Sequence, residues 1–202
     1  MSDEQSTPRP DDARVHDPRV LRGLAHPVRS RIVAEMDATG PVRAADIARD
    51  LGIPANQASF HLRQLAKYGL VEEAPGEARD RRDRVWKLVV EGGLRIDLQD
   101  VENVPGGPVA VGMWRRQATS WAHTVVDAAY THQQDDETVV SITEQTLRLT
   151  KVEAEQVRDE LGEVLGRWVE RTRGRDDARR TYLALQFLQP YPETPGAAGD
   201  GT

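Results

Sequence analysis

Apolar residues recur at two different periods along this 202-residue chain, and the change of period separates its elements. Over residues 18–68 the spacing is helical. Asp17 and Pro18 read as N-cap and first helical residue of a short helix whose Val20, Leu21 and Leu24 point inward. His26-Pro27 breaks the chain, and Pro27 opens a second helix to about residue 37. Its Val28, Ile32, Val33 and Met36 share one face at three- and four-residue spacing, and Thr39-Gly40-Pro41 ends it. Residues 44–51 give a third helix with Ile47, Ala48 and Leu51 as the buried stripe, stopped by Gly52 in a left-handed position. After the turn Ile53-Pro54, residues 55–68 form a fourth helix with Ala58, Leu62 and Leu65 inward and Gly69 as its stop. The small Ala48 matters because two helices crossing steeply over a short turn need little bulk where they touch.

From Leu70 the period becomes two. Residues 70–74 read as a strand and residues 84–90 return, with Val85, Lys87 and Val89 alternating against Trp86 and Leu88. The polar tip between them carries Arg79, Arg81, Arg82 and Arg84, with Glu77, Asp80 and Asp83 interspersed. Such a tip can be a solvated edge that resists aggregation. Its place beside a helix-turn-helix favours contact with phosphates or a minor groove.

The combination of these segments is specific. It comprises Leu21-x-x-Leu24-Ala25-His26-Pro27-x-Arg29-x-x-Ile32, then Ala45-x-Ile47-Ala48-x-x-Leu51-Gly52. Ser59-Phe60-His61-Leu62-x-x-Leu65-x-x-x-Gly69-Leu70-Val71 and Arg82-Asp83-Arg84-Val85-Trp86-x-Leu88 complete it. Residues 17–90 thereby resemble the DNA-binding domain of the arsenic-repressor (ArsR) family. The resemblance implies a winged helix-turn-helix, operator DNA as ligand and repression as the direction of control. The chain departs from the metal-sensing members in lacking their cysteine motif and in carrying a long C-terminal extension.

In such a domain the first turn of the fourth helix meets base edges in the major groove. Asn56 and Gln57 sit there, with amides able to bond adenine N6 and N7. Ser59 and His61 suit a base or a phosphate, and the family resemblance implies a DNA-facing His61. Phe60 fits either a thymine methyl or the core. Arg63, Lys67 and, before the third helix, Arg43 suit phosphates, which position a protein without specifying sequence. One helix reads few base pairs, so specificity calls for a homodimer on an inverted repeat.

The remainder reads as a small α+β region. Residues 1–16 and 190–202 are polar or Pro/Gly-rich and read as disordered tails, and residues 91–112 as a connector in which Leu94, Ile96 and Leu98 alternate. Residues 113–132 form a long helix with a heptad seam of Trp114, Ala118, Trp121, Val125, Ala128 and His132, the candidate dimer contact. Residues 139–149 and 180–189 read as strands flanking a helix from Thr150, which opens with a Thr150/Glu153 capping box. Ala154, Val157, Leu161, Val164, Leu165 and Trp168 form that helix's apolar face. The class expected is therefore α+β, mainly helical, with the winged domain at 17–90 and a dimerisation and effector region at 113–189.

Charge sharpens the picture. The whole chain carries a net −6, but residues 17–90 hold 13 Lys and Arg against 10 Asp and Glu, while residues 91–202 hold 12 against 19. The basic excess surrounds the expected reader. With no cysteine, disulfides and thiolate metal sites are excluded. His123 and Asp127 lie four apart, and with His132 and Asp135 could meet at an interface, but two side chains do not make a site and no metal is assigned. Trp114, Trp121, Tyr130, Trp168, Tyr182 and Phe187 are either plain core or the lining of a pocket for a small organic effector. No nucleophile elbow, phosphate loop or His-Glu-x-x-His is present, so the chain is read as a non-enzyme without a cofactor. Neither a signal peptide nor an apolar run of membrane-spanning length is present, which points to the cytoplasm. The rival reading is a winged helix that docks protein or RNA.

Overall fold

The computed structural model describes residues 14–15, 17–77, 84–89, 95–96, 98–131, 137–175 and 180–191. The chain begins with β1 (Arg14–Val15), a two-residue strand inside the segment expected to be a disordered tail. α1 (Pro18–Leu24) follows, with the Asp17 carboxylate accepting from the Arg19 N–H at 2.7 Å. α2 (Pro27–Thr39) is capped by a histidine: Nδ1 of His26 accepts from the Val28 N–H at 3.2 Å. β2 (Val42–Arg43) leads into α3 (Ala44–Leu51), whose Asp46 reaches back to the Arg43 N–H at 3.2 Å. Gly52 ends α3 at φ 66°, and the Ile53 N–H bonds the Ala48 carbonyl, so the turn needs the left-handed residue that glycine supplies. α4 (Ala55–Lys67) runs to Gly69 at φ 75°.

β3 (Val71–Glu73) and β4 (Val85–Leu88) pair antiparallel with Val71 opposite Leu88 and Glu73 opposite Trp86. β2 joins the other edge of β4, with Val42 opposite Trp86, giving the order β2-β4-β3. Because β4 is the central strand, Val85 and Trp86 are both buried despite the alternating pattern. Helices α2, α3 and α4 enclose Ile32, Met36, Ile47, Leu62 and Leu65, each at most 1% exposed, and Trp86 closes the core from the sheet. This is a winged helix-turn-helix of the α+β class, as its periods predict.

β5 (Arg95–Ile96) pairs in parallel with β1, and α5 (Leu98–Glu102) follows inside the expected connector. α6 (Gly107–Thr131) starts six residues before the expected helix. The Pro105-Gly106-Gly107-Pro108 run is a helix start rather than a loop: Gly106 turns at φ 78° and Pro108 fits the first turn. The added residues build a second small core, where Ala110 and Val111 meet Leu21 of α1 and Val101 of α5. Trp114 packs against both cores.

α7 (Lys151–Thr172) opens with the expected capping box, the Glu153 carboxylate accepting from the Thr150 N–H at 2.7 Å. Its root is fixed to α2. The Arg173 guanidinium donates to the Asp37 carbonyl and carboxylate at 3.0 and 3.1 Å, and the Gly174 N–H bonds the Thr39 carbonyl at 3.2 Å. The two strands expected beside it are not formed: residues 138–150 and 180–191 carry no ladder, and α7 has no buried residue. An alternating pattern makes a strand only where a neighbouring strand accepts its backbone groups, and among the described residues none does. No helix among the described residues is long and apolar enough to cross a membrane.

Candidate nucleic-acid interface

α4 presents two opposed faces. Ala58, His61, Leu62 and Leu65 are buried at 4% exposure or less. Asn56, Gln57, Phe60, Arg63 and Lys67 are exposed, and their spacing puts them on one face. Phe60, which the sequence assigns equally to core or groove, lies on this outer face at 49% exposure. The Asn56 side-chain oxygen accepts from the Gln57 N–H at 2.9 Å, which ties down the first turn and commits that oxygen. Ser59 is half-buried at the margin of the face. Arg43 lies at the N-terminal end of α3, half-buried.

His61 corrects an expectation. It lies on the inner face at 4% exposure, and its Nδ1 is buried without a hydrogen-bond partner. Its ring stands 4.8 Å from that of His26, so α4 meets the cap of α2 through two imidazoles. Helical spacing explains the placement: His61 falls between Ala58 and Leu65 at three and four residues, in the buried stripe. Burial first, then the charges of His26 and Arg29, holds its pKa below the usual histidine value. Burial, then Arg29, does the same to His26.

Arg29 is the supporting residue that the sequence reading passes over. Its guanidinium donates to the Gly23 and Arg22 carbonyls at 2.6 and 2.8 Å, closing the C-terminal end of α1. It also lies 5.1 Å from the ring centre of Tyr68, just past α4. Arg19 bonds the Lys67 carbonyl at 2.7 Å, so α1 holds the C-terminal end of α4 as well. The signal was available in Pro27-x-Arg29, an arginine one turn from a helix break.

On the wing, Arg84 pairs with Glu73 at 3.3 Å and Lys87 with Glu72 at 3.1 Å, both exposed. Such pairs contribute at most about 1 kcal/mol and exchange readily for another anion. Arg79, Arg81 and Arg82 lie outside the described residues. Of the seam on α6, Trp114 is partly taken up by the chain's own cores, Ala118 and Val125 are half-buried, and Trp121 is 40% exposed. The other aromatic pocket candidates are also exposed: Tyr130 at 72%, Trp168 at 56%, Tyr182 at 59% and Phe187 at 69%. The described residues of the single chain therefore do not gather them around a cavity. His123 and Asp127 are exposed, His132 and Asp135 lie outside the described residues, and no described group of three or more metal-ligating side chains is placed to hold an ion.

No protein of curated function matches the sequence. Among solved structures, a ZitR mutant from Lactococcus lactis in its apo form is similar at 15% identity, over 76% of this chain and 83% of that one, with a TM-score of 0.28. A MepR mutant from S. aureus bound to an oligodeoxyribonucleotide is similar at 16% identity, over 76% and 86%, again with a TM-score of 0.28. Residues 24–74, which run from the end of α1 through β3, match the family model described as a helix-turn-helix domain.

Proposed function

We propose that the chain is a homodimeric, non-enzymatic transcription regulator of the cytoplasm that binds double-stranded DNA through α4 and the wing. The carrying observation is the outer face of α4. Two amides, Asn56 and Gln57, precede an exposed aromatic, Phe60, and two cations, Arg63 and Lys67, all on a helix whose opposite face is anchored in the core. That order suits base contacts from the first turn and phosphate contacts behind them. We assign phosphate contacts to Arg43 and Arg84 and, from the sequence alone, to Arg79, Arg81 and Arg82 of the wing tip. Half-buried Ser59 adds a contact at its margin, and His61 supports the helix from inside. Trp114, Ala118, Trp121 and Val125 contribute to the dimer contact, and the operator is an inverted repeat. Repression is the direction that the ArsR resemblance implies. The exposed aromatics of the C-terminal half give a small organic effector its site only where two copies enclose them.

Selection of bound duplexes from a random pool tests the reading. A regulator of this kind prefers one palindrome over random DNA by about a thousandfold or more. Its affinity falls with salt at a log–log slope of about −0.9 per phosphate neutralised. Equal binding to all duplexes, or preference for single-stranded RNA, refutes it in favour of the rival docking module.

A further inference from the structure

We propose that His26 and His61 are positioning residues for α4 and act together as a proton-operated catch, which holds the helix while both rings are neutral and frees it when they take up protons. The inference rests on the reading of α4 as the DNA-facing helix and goes beyond it by making that binding depend on pH. Three rings stand in series. The His26 ring lies 4.8 Å from that of His61, and the His61 ring lies 5.4 Å from that of Phe60, at 71°. Phe60 is on the outer face of α4. The N-terminal cap of α2 is thereby joined, through His61, to the face assigned to the groove.

His26 can cap only while neutral. Its Nδ1 accepts from the Val28 N–H at 3.2 Å, which puts the ring proton of the neutral form on Nε2. A second proton can go only to Nδ1, where it faces the Val28 N–H, donor against donor. The cap is then lost, and a cation stands at the positive end of a 13-residue helix. His61 is restricted for a different reason. It is buried and its Nδ1 has no hydrogen-bond partner, so a proton placed there meets neither water nor an acceptor.

The charges acting on the pair are Arg29 of α2 and the rings themselves, with Tyr68, just past α4, lying against the guanidinium. Arg29 is held by the Gly23 and Arg22 carbonyls at 2.6 and 2.8 Å and cannot swing aside. Protonation therefore gathers like charges in one packed contact, and parting α4 from the start of α2 relieves them. Burial, then these charges, disfavours both imidazolium forms while the rings touch. The parted state binds protons first, so the contact is complete above the ordinary histidine value of about 6.5 and is lost below it. Acid acting on surface charge alone has the opposite effect, since added positive charge strengthens attraction to phosphates.

The test uses the full chain, the duplex it selects at pH 7.5, and hydrogen exchange of the free protein. Wild type is expected to bind that duplex about tenfold or more weakly at pH 5.5 than at pH 7.5. The amides of Val28 and α4 should lose protection over the same interval while those of α5 and α6 keep theirs. The double variant His26→Asn with His61→Phe keeps a capping oxygen and an aromatic ring but has no proton site. Its affinity should not fall with acid, and its α4 should stay protected at both pH values. His26→Asn alone leaves the core untouched and should remove about half of the change on a logarithmic scale. Wild type that binds as tightly at pH 5.5, or variants that weaken with acid as steeply as wild type, overturn the inference alone. Loss of protection in every element at once marks general acid unfolding and also overturns it. A chain that binds no duplex at pH 7.5 overturns the DNA reading and this inference together.

Discussion

Replacing His61 with phenylalanine should stabilise the protein and remove part of its acid sensitivity. The imidazole of His61 is 4% exposed, its Nδ1 has no partner, and its ring lies against that of His26. A buried polar atom left unpaired costs about 1–3 kcal/mol. Phenylalanine removes that cost and keeps the aromatic contact, but adds one ring atom to a packed core. Overpacking takes back about 1 kcal/mol or more. The balance is a gain of about 1 kcal/mol at pH 7.5, or about 2–4 °C in Tm for a chain of this length.

The pH dependence is the sharper readout. Both histidines titrate below their ordinary value because burial and Arg29 oppose the charged form, and His26 further opposes it in His61. The unfolded chain therefore binds protons first as pH falls. The stability contributed by the neutral pair is complete above the unfolded histidine value of about 6.5 and is lost below it. Each proton contributes a limiting slope of about 1.4 kcal/mol per pH unit, so the pair gives up to about 2.7. The phenylalanine variant retains only the His26 share. Urea unfolding at intervals between pH 5 and 7.5 measures both slopes. A variant that is destabilised at pH 7.5 and still loses stability with acid as steeply as wild type would refute the buried neutral pair.

Four further substitutions have expected outcomes. Arg29→Ala removes two charge-assisted bonds to the end of α1 and the stacking on Tyr68, and should cost about 2–4 kcal/mol in urea unfolding. Lysine should not rescue it, because one ammonium cannot reproduce the fork. Gly107→Ala would drive a methyl into the Val101 carbonyl, a backbone atom that cannot rotate away. The cost should be about 1–3 kcal/mol or more, appearing as early melting of α5 and α6 by hydrogen exchange. If the outer face of α4 meets DNA, Arg63→Ala should weaken binding to all duplexes alike and make the salt slope shallower by about one unit. Gln57→Ala should cost about 1–3 kcal/mol at one base position only.

The winged domain was legible in the sequence because its determinants are local. Gly40, Gly52 and Gly69 all take positive φ and mark where three helices stop, and the apolar stripes between them are the buried ones. What escaped the reading depends on distance. β1 and β5 are two residues each and exist only because Arg14 and Arg95 come together from 81 positions apart. The start of α6 was hidden in a Pro/Gly run that reads equally well as a loop. His61 was misplaced because resemblance assigned it a partner where its own period put it inside. The alternation along 139–149 and 180–189 predicts two strands beside α7, but no ladder joins them among the described residues. The site divides in the same way: the outer face of α4 follows from helical spacing, whereas the contacts of Arg29 and Arg19 span 6 to 48 residues.

The 13 residues of α2 form a rod about 20 Å long. One end is capped by His26, whose ring rests on α4, and the other is gripped at Asp37 and Thr39 by the root of α7. The rod therefore fixes the distance between α4 and the C-terminal end of α7. It also sets a phase: one residue inserted within α2 would turn one end against the other by about 100°. In a two-fold assembly the separation and rotation of the two readers would be set by a length and an angle held in this one helix, without a hinge to search for them.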